Sequence, residues 1–180
     1  MRRTFVVALL LASPVLAHVV FAQDDAAKAR MNAGCGPDQV KFDVKTDKKH
    51  HPAGQAEAGK AVVYVFGDTD VDNGSNIGTL TTRIGIDGAW VGANKFKSYF
   101  FFPASPGEHR VCTNVQQLSK SREWSAATTF SAEPGKVYYF RTKTPDHPNS
   151  GGLVKLVPVD PAEAQLLIAA SAYSTFQLKK

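Results

Sequence analysis

"SYFFFPASPGEHRVC", residues 98–112, is the stretch that decides the fold. Tyr99, Phe100, Phe101 and Phe102 stand side by side, followed by two prolines, Gly107, a charged pair and Cys112. In a strand, successive side chains point to opposite faces, so Tyr99 and Phe101 share one face and Phe100 and Phe102 the other. A strand with one face in water cannot bury all four. The strand is therefore expected at the centre of its sheet. One face belongs in the core of a sandwich, the other under a helix, the N-terminal segment or a partner. An exposed aromatic binding patch is the competing reading.

The neighbouring segments read as further strands. Ala61–Phe66 is a continuous β-branched and aromatic run, as suits a strand covered on both faces. Thr81–Ile86 places Thr82, Ile84 and Ile86 on one face, and Asp87-Gly88 then signals a hairpin into Ala89-Trp90-Val91. Glu108–Asn114 alternates, with His109, Val111 and Thr113 facing one way and Arg110 and Cys112 the other. Residues 127–131, 136–143 and 152–159 complete the set, and Val40-Phe42-Val44 alternates as a short edge strand would. Asp160, Pro161 and Glu163 form a helix start before 164–170, predicting a helix over 161–171. The pattern predicts a mainly β chain: an antiparallel β-sandwich of about seven or eight strands with one C-terminal α-helix over residues 60–180. Residues 23–59 read as an extended lead-in.

The N-terminus reads as an export signal over residues 1–22. Arg2 and Arg3 precede an almost wholly apolar run to Ala22, and small residues precede Gln23. Cleavage is expected after Ala22, with Ala17 as the alternative, leaving no stable transmembrane span. The chain is then secreted or periplasmic. Loss of Arg2 and Arg3 lowers the formal charge from +5 to +3. That charge is mild and forms no dense basic stripe, which argues against nucleic acid as a partner. The 43% hydrophobic content belongs to a globular chain.

Cys35 and Cys112 are the only cysteines, so an oxidising compartment permits one intramolecular disulfide. The N-terminal segment is then expected to lie over the strand face that carries Cys112. Lipid anchoring at Cys35 is disfavoured: Asn32 sits where a lipobox needs an apolar residue, and Asp24, Asp25, Lys28 and Arg30 intervene before it.

In order along the chain, "KAVVYVF", "IGIDGAWVGA", "SYFFFPASPGEHRV" and "EPGKVYYFRT" together resemble the bacterial family called domain of unknown function 2846, and more loosely the PEGA modules, over about residues 59–158. The motifs that match are turns: Asp87-Gly88, Gly92, Pro106-Gly107-Glu108-His109 and Gly135-Lys136-Val137-Tyr138-Tyr139. The resemblance implies a β-rich fold and an envelope location, and carries no catalytic residues.

Searching for chemistry yields little. Asp68, Asp70 and Asp72 alternate like calcium ligands, but Gly74 falls one place late and Thr79 stands where an EF-hand needs Glu, leaving a weak Ca²⁺ candidate. His50, His51, His109 and His147 form no zinc motif. There is no nucleophile elbow, and Glu108 and His109 point to opposite faces, which is wrong for a relay. No cofactor and no catalytic residue is assigned. Trp90 and Trp124 are the exposed-aromatic candidates. The expected function is a non-enzymatic accessory or binding domain of the cell envelope, with a protein or glycan partner. A small secreted hydrolase or a Ca²⁺-binding surface module is the alternative.

Overall fold

In the computed structural model, residues 35–67, 80–118, 124–143 and 154–179 are described. Ten strands and one α-helix appear among them, with a single 3-10 turn at Gln116–Leu118, in the order β1 (Phe42–Asp47), β2 (Ala61–Phe66), β3 (Thr81–Ile86), β4 (Ala89–Lys95), β5 (Ser98–Ala104), β6 (Gly107–Val115), β7 (Ser125–Ala132), β8 (Val137–Lys143), β9 (Lys155–Pro158), α1 (Pro161–Ala170) and β10 (Ala172–Leu178). They form two sheets, one of six strands in the order β1-β10-β5-β2-β8-β9 and one of four in the order β4-β3-β6-β7.

The aromatic strand β5 lies inside the larger sheet, between β10 and β2. Phe100 and Phe102 face the smaller sheet and pack with Val63, Val65, Ile84 and Val111. Tyr99 and Phe101 face outward, where they join Val62, Tyr64, Phe66, Ala164 and Leu167 under α1. Both faces of β5 are thus covered.

The four-stranded sheet is antiparallel throughout. The six-stranded sheet is not, which corrects the expectation of an all-antiparallel sandwich: β2 runs parallel to β8, and β10 runs parallel to β5. Parallel neighbours need a crossover. Between β2 and β8 the chain passes through β3 and β4 of the smaller sheet, returns to the larger sheet as β5, and goes back through β6 and β7 of the smaller one. From β9, at one edge, α1 crosses the outer face and delivers the chain to β10 on the far side of β5.

β10 is the strand that the sequence pattern hid. It follows the helix after a single residue, and its alternation is short. Phe176 nevertheless packs edge-on against Phe42 and Phe100, and the Ser174 hydroxyl donates to that of Ser98 at 2.7 Å. β1 pairs along its whole length with β10, so the larger sheet begins upstream of residue 60.

Helix α1 starts as expected. Asp160 caps it by accepting from the Ala162 N–H at 2.8 Å, and Pro161 occupies the first turn. Glu163, the third residue of the helix start read from the sequence, pairs with Arg141 of β8 at 3.3 Å and ties the first turn to the sheet.

Candidate functional site

Two segments of the lead-in cover the outer faces of the two sheets; the second, residues 52–54, lies on Tyr64 and Tyr99 of the larger sheet. The first, residues 35–40, is pinned by a disulfide between Cys35 and Cys112 of β6, whose Cα atoms lie 5.7 Å apart. It lies over the face of the smaller sheet that carries Cys112, as the alternation of β6 requires. Gly85 of β3 makes this approach possible: a Cβ there would collide with the Cys35 carbonyl oxygen. β6 and β5 belong to different sheets, so this segment does not help cover the aromatic strand.

Arg83 holds the same segment from below. It is the largest fully buried side chain, at 1% exposure. Its Nη1 donates to the carbonyls of Asp38 (3.1 Å) and Val40 (2.7 Å). Its Nε donates to Asn114 Oδ1 at 3.1 Å, and Nη2 donates to the same oxygen. The guanidinium carbon stands 4.3 Å from the Trp90 ring centroid. Burial pulls the Arg83 pKa down and nearby Asp38 pushes it back up. An arginine nonetheless stays charged, and four hydrogen bonds and a ring face compensate its desolvation.

These contacts shape a groove of about 460 Å³ lined by Gly36, Pro37, Asp38, Trp90, Asn114 and Ser125, with the disulfide in its wall. Three of the lining groups, Trp90, Asn114 and Ser125, have a set orientation. Trp90 Nε1 donates to the Pro37 carbonyl at 2.9 Å. Arg83 can only donate, so it fixes the Asn114 oxygen inward and turns the amide nitrogen toward Ser125, whose Oγ accepts at 2.7 Å. That leaves the Ser125 hydroxyl proton for a ligand. The groove therefore presents a hydroxyl, an amide, an indole edge and an exposed carboxylate.

The other sequence candidates fall elsewhere. Trp124 is buried at 6% with Val115 and Val154, so it belongs to the core. Trp90 is half-buried and serves the groove. Asp68, Asp70 and Asp72 lie outside the described residues, as do His147 and residues 1–34. Among the described residues, no group of three or more His, Cys, Asp or Glu is placed to hold a metal ion. His50 bonds Asp47 at 2.7 Å, and that hydrogen bond, with the Lys49 N–H, lowers the Asp47 pKa to about 2.

His109 has a partner that the sequence reading missed. Facing the same way as Val111 and Thr113, it is only 5% exposed. Its Nδ1 lies 2.7 Å from Asp87 Oδ2 and its Nε2 lies 2.6 Å from the Ser105 carbonyl. Asp87 Oδ1 also accepts from the Arg110 N–H at 3.0 Å. The pair latches the β3–β4 turn to the β5–β6 turn. Both ring nitrogens are committed, so neither is available to take a proton from a substrate. The missed signal was Asp87 itself, read only as a turn residue; its φ of 51° puts it in a tight hairpin turn that swings its carboxylate toward β6.

No helix among the described residues is long and apolar enough to cross a membrane. Over residues 57–153 the chain matches a family model described as a protein of unknown function, DUF2846. No curated protein matches the chain, and no solved structure does.

Proposed function

We propose, from the premise that the chain belongs to the DUF2846 family of proteins of unknown function, that it is a non-enzymatic accessory or binding domain of the bacterial cell envelope. In this reading it is exported by its N-terminal signal and engages a protein or glycan partner through the groove beside the disulfide. One observation carries the reading. The groove gathers oriented hydrogen-bonding groups on a cross-linked frame, without a nucleophile and base in contact. Groups already held in place lose little entropy when a ligand arrives, which is what a binding surface needs. Supporting it, the Asp87–His109 pair is closed on both ring nitrogens. The Cys35–Cys112 bridge suits an oxidising compartment.

Two measurements test it. N-terminal sequencing of the native protein should begin at Gln23, or at His18 if cleavage follows Ala17; a chain that keeps Met1 and stays in the cytoplasm would sink the envelope assignment. Titration calorimetry with solubilised envelope glycan and with isolated envelope proteins should find a ligand whose binding is lost in Ser125→Ala and Asp38→Asn, with the circular dichroism of the folded chain kept in both. A ligand that binds these variants as tightly as the parent would place recognition elsewhere.

A further inference from the structure

The two sheets have four edges, and three of them carry recognised defences against pairing with another strand. β1 alternates Asp43, Lys45 and Asp47. β9 carries Lys155 and ends in Pro158. β4 is bulged where its register with β3 shifts at Ile84/Gly85, and Trp90 and Ala93 pack toward β1. Charges, proline, bulges and cover are how sheet edges avoid unwanted partners.

β7 carries no charge, proline or bulge, and β9 of the other sheet runs near it. Its sequence, Ser125-Ala-Ala-Thr-Thr-Phe-Ser-Ala132, holds no charge and no proline. It pairs with β6 in unbroken register from Ser125 to Ala132. Among the described residues no strand pairs with its other edge. Ala127, Thr129 and Ser131 are exposed. Beside it, an apolar cleft of about 250 Å³ opens between the sheets, lined by Thr128, Phe130, Val137, Tyr138, Val159 and Pro161 among others. Val137 there is 40% exposed.

We infer that β7 is an association edge whose partner is β7 of a second copy of this chain, paired antiparallel about a two-fold axis through Thr129. Self-complementarity favours this occupant. An isologous pairing sets each residue against its mirror position. About Thr129, the outward face pairs Thr129 with Thr129 and Ala127 with Ser131, so no like charges meet on a chain whose formal charge is +5. The same operation on β1 would bring its charged side chains into the seam. On the inward face, Thr128 meets Phe130. The two Phe130 rings become diagonal neighbours about 7–8 Å apart, within reach of aromatic side chains, over two joined apolar clefts. A contact of one strand pair and its flanks lies near the low end of specific interfaces, below about 1,200 Å², so the dimer is concentration-dependent.

Sedimentation velocity on the oxidised chain over a concentration series tests this. The parent should form a dimer as concentration rises. Thr129→Lys and Thr129→Glu alter an exposed side chain and should each weaken association at least about tenfold, with circular dichroism and melting unchanged. An equal mixture of the two should restore it, because opposite charges then meet on the axis. If either substitution disturbs the fold, Ser131→Lys introduces a charge into the same seam from a second site. A parent that stays monomeric throughout overturns the inference, even if it takes up an unrelated extended peptide. So does a well-folded Thr129→Lys or Ser131→Lys chain that associates like the parent. A mixture that fails to recover overturns the axis through Thr129.

Discussion

The two outer faces of the sandwich are covered in opposite ways. Over the six-stranded sheet, α1 and the second lead-in segment lie on Tyr64, Phe66, Tyr99, Phe101 and Tyr139. Over the four-stranded sheet, the first lead-in segment lies on Arg83, Cys112 and Asn114. The first face is held by ring area, with polar ties added at its margin: Tyr99 donates to the Pro52 carbonyl at 3.1 Å, the Gly54 N–H donates to Tyr64 at 2.6 Å, and Glu163 pairs with Arg141. The second is held by one cross-link and one buried cation. Apolar area tolerates small shifts, because it is non-directional. A buried guanidinium does not, because every lost acceptor is a full penalty. The outer face of the smaller sheet is therefore the more brittle, and it is the one that shapes the groove.

The largest expected effect strikes that brittle face. The disulfide spans 77 residues, and the chain-entropy treatment of such a loop gives about 4 kcal/mol, within the 2–5 kcal/mol usual for native bridges. Replacing both Cys35 and Cys112 by Ser should lower unfolding stability in urea by about that amount. Amide exchange should quicken first at residues 35–40 and leave β2 and β5 protected. Equal loss of protection in both sheets would show that the lead-in supports the whole sandwich and not one face.

Next in size is Arg83→Met. Methionine keeps most of the volume and removes the donors. The part-buried carbonyls of Asp38 and Val40 and the buried Asn114 oxygen then lose their partner. At about 1–3 kcal/mol for each unsatisfied buried group, and with some relief from water, the loss should be about 3 kcal/mol. Chemical denaturation measures it. A change under about 1 kcal/mol would mean that water already serves these carbonyls and that the cation adds little.

The aromatic face should yield less. A Cβ on Gly54 would sit 2.7 Å from Phe101 Cδ2 and 2.9 Å from Val62 Cγ1. Gly54→Val should thus lift the second lead-in segment off the rings at a cost of about 2 kcal/mol, with α1 and the sheet intact. Faster tryptic cleavage after Lys48 and Lys49 with unchanged circular dichroism is the expected reading. Loss of the helix signal would show that α1 and this segment form one unit.

What was legible in the sequence follows the same division. Four adjacent aromatics can be buried only on a two-sided central strand, so "YFFF" implied both the sandwich and a cover over its outer face. Two cysteines and an alternating strand implied which face the lead-in must cross. Arg83 was not legible, because a lone arginine in an alternating strand looks like a solvent-facing residue until its acceptors arrive from positions 38 and 40. The Asp87–His109 latch was hidden for a similar reason: its partners are 22 residues apart and meet only because two turns stack. β10 was missed because the short alternation after a strong helix signal gains its strand character from pairing with β1 and β5. Local pattern reports apolar burial well. It reports directed polar contacts poorly, since they depend on distant segments.

The smallest expected effect concerns the hydroxyls at the margin of the aromatic face. Burial, with smaller contributions from Tyr64 and Tyr173, pushes the Tyr99 phenol up to about 12. Burial likewise raises Tyr139 and Tyr173. A group whose folded pKa lies above its unfolded value holds its proton more tightly when folded. Its contribution to stability is complete below about pH 10, the unfolded phenol value, and is lost as pH climbs from there through about 12. Stability should therefore hold up to about pH 10 and fall beyond it, as unfolded tyrosines ionise while these three resist. Ultraviolet titration should show the late tyrosines ionising together with unfolding. Tyr99→Phe removes the donor to the Pro52 carbonyl and should cost about 1 kcal/mol at neutral pH, while flattening the alkaline decline. A variant that loses stability above pH 10 as steeply as the parent would assign the decline to other groups, and the aromatic face would then be held by area alone.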